Sequence, residues 1–181
     1  MRIITGQYKG FCLKQPPSSI SRPTTDKVRQ AFFNIIEHKF NVDFSKTIVL
    51  DAFSGSGSLG LEALSRGAKK VYLVEKSPIA FNILKENCLH LKVNPESACL
   101  LRDDVLKTIF NNKFDLVFLD PPYAQNDLYE SVINVLLKQV AIDHATLFVA
   151  EMPKNNILPF NHSLKDERIF SNIKIVFFTI L

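Results

Sequence analysis

Hydrophobic positions along the chain fall into short apolar runs separated by stretches with helical spacing, and the clearest such unit begins at Ile48-Val49-Leu50. The run ends in a carboxylate, Asp51, and passes through the small-residue loop Ala52-Phe53-Ser54-Gly55-Ser56-Gly57. It resumes at Leu59, Leu61 and Leu64, which predicts strand, tight turn, helix. Further strands are predicted at 71–74, 98–101, 114–119 and 146–150, with a long β-branched and aromatic strand at 173–181. The helix at 58–65 closes with Gly67 at C′. Ser77-Pro78 opens a helix whose Ile79, Ile83, Leu84 and Leu91 are expected to face inward, and 128–140 is amphipathic. Upstream, Val28, Phe32, Ile35 and Ile36 form an apolar stripe on a helix capped by Thr24 or Thr25, and 2–14 alternate roughly, with Gly6 and Gly10 placed as in a β-hairpin. Buried strands alternating with helices imply a mainly parallel α/β sheet covered on both faces.

The 181 residues suffice for one domain with a small appendage, here a hairpin extension over 1–22 and a main domain over 23–181. No apolar run approaches the roughly 20 residues of a membrane span, and no signal peptide is evident, so a cytoplasmic monomer is expected. Cys12, Cys88 and Cys99 read as reduced thiols, the last two half-buried. The four histidines show no ligand spacing, so no metal is expected. The net charge of +4 is unevenly spread. Residues 1–30 hold six basic side chains and one acid, whereas the other 151 hold sixteen and seventeen. Arg2, Lys9, Lys14, Arg22, Lys27 and Arg29 therefore suit either a polyanionic substrate or a solvated hairpin, and charge alone does not choose.

Four acids, Asp51, Glu75, Asp104 and Asp120, follow predicted strands, where open α/β sheets bind ligands. Gly55-x-Gly57-x-x-Gly60 matches a dinucleotide fingerprint, with Glu75 near the distance of a ribose-binding acid. Asp51 at the loop mouth decides against pyrophosphate and for a ligand carrying an ammonium and a sulfonium, S-adenosylmethionine. Phe53, Ser54, Gly55 and Gly57 then form the cofactor loop, and Glu75 accepts the ribose hydroxyls. Asp104 either accepts from the adenine amine, with the Val105 N–H donating to the ring, or caps a helix before Leu106, Ile109 and Phe110; Asp103 is the fallback.

Asp120-Pro121-Pro122-Tyr123 is the most specific tetrapeptide. Two prolines remove two N–H donors and fix backbone direction beside a carboxylate and an aromatic plane. Such an assembly suits a planar amine: Asp120 and the Pro121 carbonyl each accept one amine hydrogen while Tyr123 stacks on the ring. A base inside a duplex is out of reach, so the acceptor is expected to be unpaired or flipped.

Arg22-Pro23-Thr24-Thr25-Asp26-Lys27-Val28-Arg29, the 51–57 loop and Asp120-Pro121-Pro122-Tyr123 together resemble the RsmD family of bacterial 16S ribosomal RNA guanine-N2 methyltransferases, over nearly all of residues 1–151. The resemblance implies a Rossmann-like S-adenosylmethionine-dependent methyltransferase fold, with a seven-stranded sheet whose last strand is antiparallel and an N-terminal β-hairpin that grips RNA. It also implies methylation of one guanine in 16S RNA, free or in a small-subunit assembly particle. Asp51, Gly55, Glu75 and Asp104 would hold the cofactor, and Asp120 to Tyr123 the guanine. The chain departs from the family before the last strand, where Arg168-Ile169-Phe170-Ser171-Asn172 stands in place of the usual lysine and glycine. Competing readings are an amine of adenine, cytosine or protein as acceptor, a nicotinamide dehydrogenase using the Gly55 loop, and a non-catalytic RNA-binding domain.

Overall fold

The computed structural model describes residues 1–16, 26–122 and 127–181, so Arg22, the Thr24 or Thr25 cap and Tyr123 lie outside the described residues. Its elements in chain order are α1 (Asp26–His38), β1 (Ile48–Asp51), α2 (Ser58–Ser65), β2 (Lys70–Val74), α3 (Pro78–His90), β3 (Ala98–Leu101), β4 (Leu116–Leu119), α4 (Asp127–Lys138), β5 (Leu147–Pro153), β6 (His162–Phe170) and β7 (Ile173–Ile180). A short 3-10 turn at Phe44–Lys46 leads into β1. The strands form one seven-stranded sheet in the order β3-β2-β1-β4-β5-β7-β6. The first five are parallel neighbours, and β7 pairs antiparallel with both β5 and β6.

Strand side chains alternate between faces, so the sheet has two cores. Val49, Phe118 and Phe177 face α1, α2 and α3, where Phe32, Phe33, Leu61 and Leu84 meet them. Leu50, Val117, Phe148 and Phe178 face α4 through Val132, Ile133 and Leu136. Aromatic packing secures both sides: the Phe33 and Phe118 rings meet edge-on at 5.6 Å, and Phe148 stacks on Phe178 at 5.0 Å. Ser77 caps α3 with Pro78 at its first turn, and Gly67, at φ 99°, ends α2, both as the sequence indicates.

Several expectations are corrected. His162–Phe170 is a strand that the periodicity did not reveal. It pairs with β7 through the two-residue connection Ser171-Asn172, with Ser171 at φ 54°, so the segment departing from the family pattern is a hairpin turn. Ile79 is 56% exposed and Ile83 half-buried, whereas Leu84 and Leu91 are buried as expected, together with Ala80, Asn87 and Cys88. No helix follows Asp104; 105–107 form a turn, and Ile109 is exposed. The N-terminal hairpin is short: the Arg2↔Cys12 antiparallel bridge is flanked by bonds from Ile3 N–H to the Phe11 carbonyl at 2.9 Å and from Leu13 N–H to the Met1 carbonyl at 3.0 Å, and its far end bonds to α2. Glu62 carboxylate oxygens accept from the N–H groups of Ile4 at 2.7 Å and Thr5 at 3.1 Å, and the Ser65 carbonyl accepts from Gln7 at 2.9 Å. Gly6 lies so close that a Cβ there would stand 1.7 Å from the Ser65 carbonyl oxygen, at φ 86°, which excludes any side chain.

Candidate active site

The carboxyl ends of β1, β2 and β4 open on one cavity of about 460 Å³. Its walls include Asp51, Phe53, Ser54 and Gly55 after β1, Glu75 after β2, Asp104 and Val105 after β3, and Asp120, Pro121 and Pro122 after β4. Asp51 and Asp120 meet here because β1 and β4 are adjacent, with Asp51 in register with Phe118. Among the described residues, the charged side chains of the lining are five acids (Asp51, Glu75, Asp103, Asp104, Asp120) and one lysine, Lys76.

Asp51 is 2% exposed, and its Oδ2 accepts from the Gly60 N–H at 2.9 Å. Burial, with Glu75 nearby, lifts its carboxyl to about 7, although the N–H groups of Gly60 and Phe53 oppose the rise. Gly60 makes this contact possible, since a Cβ there would lie 2.3 Å from a Leu73 methyl and 3.3 Å from Asp51 Oδ2. Glu75 spans two backbone donors, Gly55 at 2.8 Å and Ser77 at 2.6 Å, and thereby ties the loop to the start of α3. Each of its oxygens keeps a second lone pair for a ligand.

Asp120 is half-buried, and burial, Glu151 and Asp51 push its carboxyl well above the usual carboxylate range. Glu151, in β5 and buried, was missed in the sequence, yet the same signal marks it, for it follows the apolar run 146–150 directly. The Tyr129 hydroxyl donates to the Glu151 carbonyl at 2.6 Å, fixing the β5 backbone at that point. At the far end Asp104 serves its own turn: Oδ1 accepts from Leu106 N–H at 3.1 Å and Oδ2 pairs with Lys76 at 2.8 Å, which holds its carboxyl below the usual value. Asp104 therefore caps a turn rather than a helix, and it does so at the cavity wall.

Gly57 does not line the cavity. At φ 88° it opens α2, and a Cβ would approach Leu84 to 2.5 Å and Leu61 to 2.9 Å, so this glycine serves packing between α2 and α3. Gly55, at φ 54°, lines the cavity and faces open space, so its backbone is uncovered there. Among the expected RNA contacts, Lys9 and Lys27 are exposed, and Arg2 is exposed but paired with Asp26 at 3.1 Å. Arg29 corrects the expectation. It is fully buried, and its guanidinium donates to the Arg2 carbonyl and to Asp26, binding α1 to the N-terminal segment rather than presenting charge to solvent.

The family model described as "Conserved hypothetical protein 95" matches residues 1–179. The chain is 38% identical over 174 residues to the ribosomal RNA small subunit methyltransferase D of Haemophilus influenzae, covering 93% of this chain and 88% of that protein. It belongs to the RsmD family. The Escherichia coli protein called ribosomal RNA small subunit methyltransferase D is 34% identical to this RsmD-family chain over 178 residues, 96% of the chain and 86% of the relative. A solved structure described as a putative methyltransferase of Escherichia coli superposes with a TM-score of 0.81 at 31% identity, covering 100% of this chain and 98% of the other. The RsmD-family sheet seen here is therefore a class I methyltransferase sheet, with the acid-lined cavity on its carboxyl rim.

Proposed function

We propose that this RsmD-family chain transfers a methyl group from S-adenosylmethionine to the exocyclic N2 amine of a guanine in small-subunit (16S) ribosomal RNA, acting as a cytoplasmic monomer. The observation that carries the proposal is that Asp51 and the Asp120-Pro121-Pro122 segment line one cavity. The names of the Haemophilus influenzae and Escherichia coli relatives support ribosomal RNA of the small subunit as the substrate class.

The lining fits the donor. Among the described residues of the lining, five acidic side chains against one lysine, already tied to Asp104, disfavour a pyrophosphate and favour a ligand with two positive charges and no phosphate. In this reading Asp51, Phe53, Ser54 and Gly55 hold the amino acid end, Glu75 the ribose, and Asp104 with Val105 the adenine. When bound, S-adenosylmethionine supplies an electrophilic methyl group on a positively charged sulfur. The elevated carboxyls of Asp51 and Asp120 are the cost of gathering acids at one rim in the free protein, and an arriving cation restores their charge.

Asp120 and the Pro121 carbonyl act on the acceptor. A guanine amine is a weak nucleophile because its lone pair is delocalised into the ring. Two acceptors drawing its hydrogens out of the ring plane localise that pair. Asp120 also stabilises the positive charge that develops on nitrogen and takes up the proton released afterwards. Pro121, buried beside it, fixes the direction of the second acceptor. The N-terminal extension over 1–22, with Arg2, Lys9 and Arg22, and Lys27 on α1 are assigned to the RNA backbone.

Labelled S-adenosylmethionine and small-subunit RNA, as free RNA and as assembly particles, followed by mass analysis of the nucleosides, test the assignment. Label is expected in N2-methylguanosine, appearing about a hundred- to a thousandfold more slowly with Asp120→Ala. Label in adenosine, cytidine or protein would replace the acceptor, and none anywhere would remove the activity.

A further inference from the structure

Asn87 lies in α3 with no exposed surface, and its amide is shared between two parts of the chain remote in sequence. Oδ1 accepts from the Lys14 backbone N–H at 2.9 Å, while Nδ2 donates to the Lys14 carbonyl at 3.0 Å and to the Ser56 carbonyl at 2.9 Å. The side chain thus pairs with residue 14 as a neighbouring strand would and spends its second hydrogen on the glycine-containing loop. A second tie runs alongside, from Ser56 Oγ to Gln15 Oε1 at 3.2 Å. Gln15, Pro16 and Ser56 all line the cavity, so the side chains so joined form a continuous stretch of its wall. Residues 4 and 5 are held by Glu62, away from the cavity lining, and need no ligand to explain them.

We infer that Asn87 is a positioning residue: it fastens the N-terminal wall of the donor cavity to the Ser56 loop, so that donor binding rigidifies residues 14–16 and release of that wall weakens donor binding. The inference rests on the proposed donor site and deepens it by giving the N-terminal segment a part in holding the donor. Wall and loop share one buried amide, which bonds to Lys14 on one side and to Ser56 on the other, so a change in either is felt by the other. Coupling of this kind is reciprocal.

Hydrogen exchange on the full chain, with and without S-adenosylhomocysteine as the probe, reads the coupling directly. In the unaltered protein the probe is expected to slow exchange of the Lys14 N–H as well as the loop at 54–57, by about tenfold. In Asn87→Leu the loop retains its protection and Lys14 loses it. The KM for S-adenosylmethionine rises about tenfold while kcat at saturating donor stays within about twofold, a split that a loss of stability alone does not produce. An unchanged KM, or a fall in kcat alone, overturns the inference. Should Asn87→Leu fail to fold, Gln15→Ala, which removes the second tie and the Gln15 amide's bond to the Lys14 carbonyl while leaving Asn87 in place, is expected to raise the donor KM about threefold, and no change counts against the proposal. A protein that does not bind the probe at all contradicts the donor site itself. One that binds it while Lys14 exchanges unaltered contradicts only the role given to Asn87.

Discussion

The parallel and antiparallel parts of the sheet follow opposite rules, and only one of them makes a site. In β3-β2-β1-β4-β5 the strands leave the sheet toward a single rim, where Asp51, Glu75 and Asp120 collect around one cavity. In β7-β6 the chain doubles back through Ser171-Asn172; β7 is buried along Ile175–Phe178 and supplies Phe177 and Phe178 to the two cores, and β6 leaves Leu164 and Ile169 exposed. Neither strand of this hairpin contributes a residue to the cavity lining. Strand ends therefore line the cavity and strand faces form the cores, and substitutions separate the two.

The largest expected effect is at the rim. Asp120→Ala lowers the rate of methyl transfer about a hundred- to a thousandfold, the scale for losing one preorganised electrostatic group, in initial rates with labelled donor. A residual rate within tenfold of the unaltered protein would break the division of labour. In the hairpin, Phe178→Ala removes a ring stacked on Phe148 and costs about 3–5 kcal/mol in urea unfolding. Its donor affinity, measured where the variant is folded, stays within about threefold.

Asp51→Asn sharpens the contrast because it moves the two properties in opposite directions. The Asp51 carboxyl lies at about 7 in the folded protein, above its ordinary value of 3.8, so the folded state holds the proton more tightly and stability falls as pH rises from about 4 to about 7. Asparagine keeps an acceptor for the Gly60 N–H and removes the charge. Unfolding free energy is therefore expected to rise on the order of 2 kcal/mol above pH 7 and not at all near pH 4, while donor affinity falls. Loss of stability at pH 8 would contradict this. The smallest effect is at the bulge in β6, where exposed Lys165→Gln changes stability by less than about 0.5 kcal/mol.

The same division explains what the sequence disclosed. Five parallel strands were legible because their segments read as apolar runs, four of them buried along almost their whole length, and the acids at or after the ends of β1 to β4 stood out against those runs. β6 was not, because His162-Ser-Leu-Lys-Asp-Glu-Arg-Ile-Phe170 lies at the sheet edge and its alternation is broken between Leu164 and Asp166. The bulge turns the Asp166 side chain, 8% exposed, to an ion pair with Lys39. Arg29 escaped for a related reason: a guanidinium is expected in solvent, and although Asp26 is a neighbour on the same helix, the Arg2 carbonyl comes to it only through the tertiary arrangement. The two glycines of the loop looked alike in sequence, and their neighbours divide them, open space at Gly55 and Leu84 at Gly57. Asp120 was legible from its prolines; Glu151, which raises the Asp120 carboxyl, lacked any comparable motif.

Calorimetric titration with S-adenosylmethionine at pH 5.5 and pH 7.5 tests the central claim most directly. The account predicts one site, tighter at the higher pH because the cation requires the ionised form of a carboxyl that titrates at about 7, and weakened by Asp51→Asn. Absence of binding, affinity indifferent to both pH and Asp51→Asn, or preference for a nicotinamide dinucleotide would contradict it.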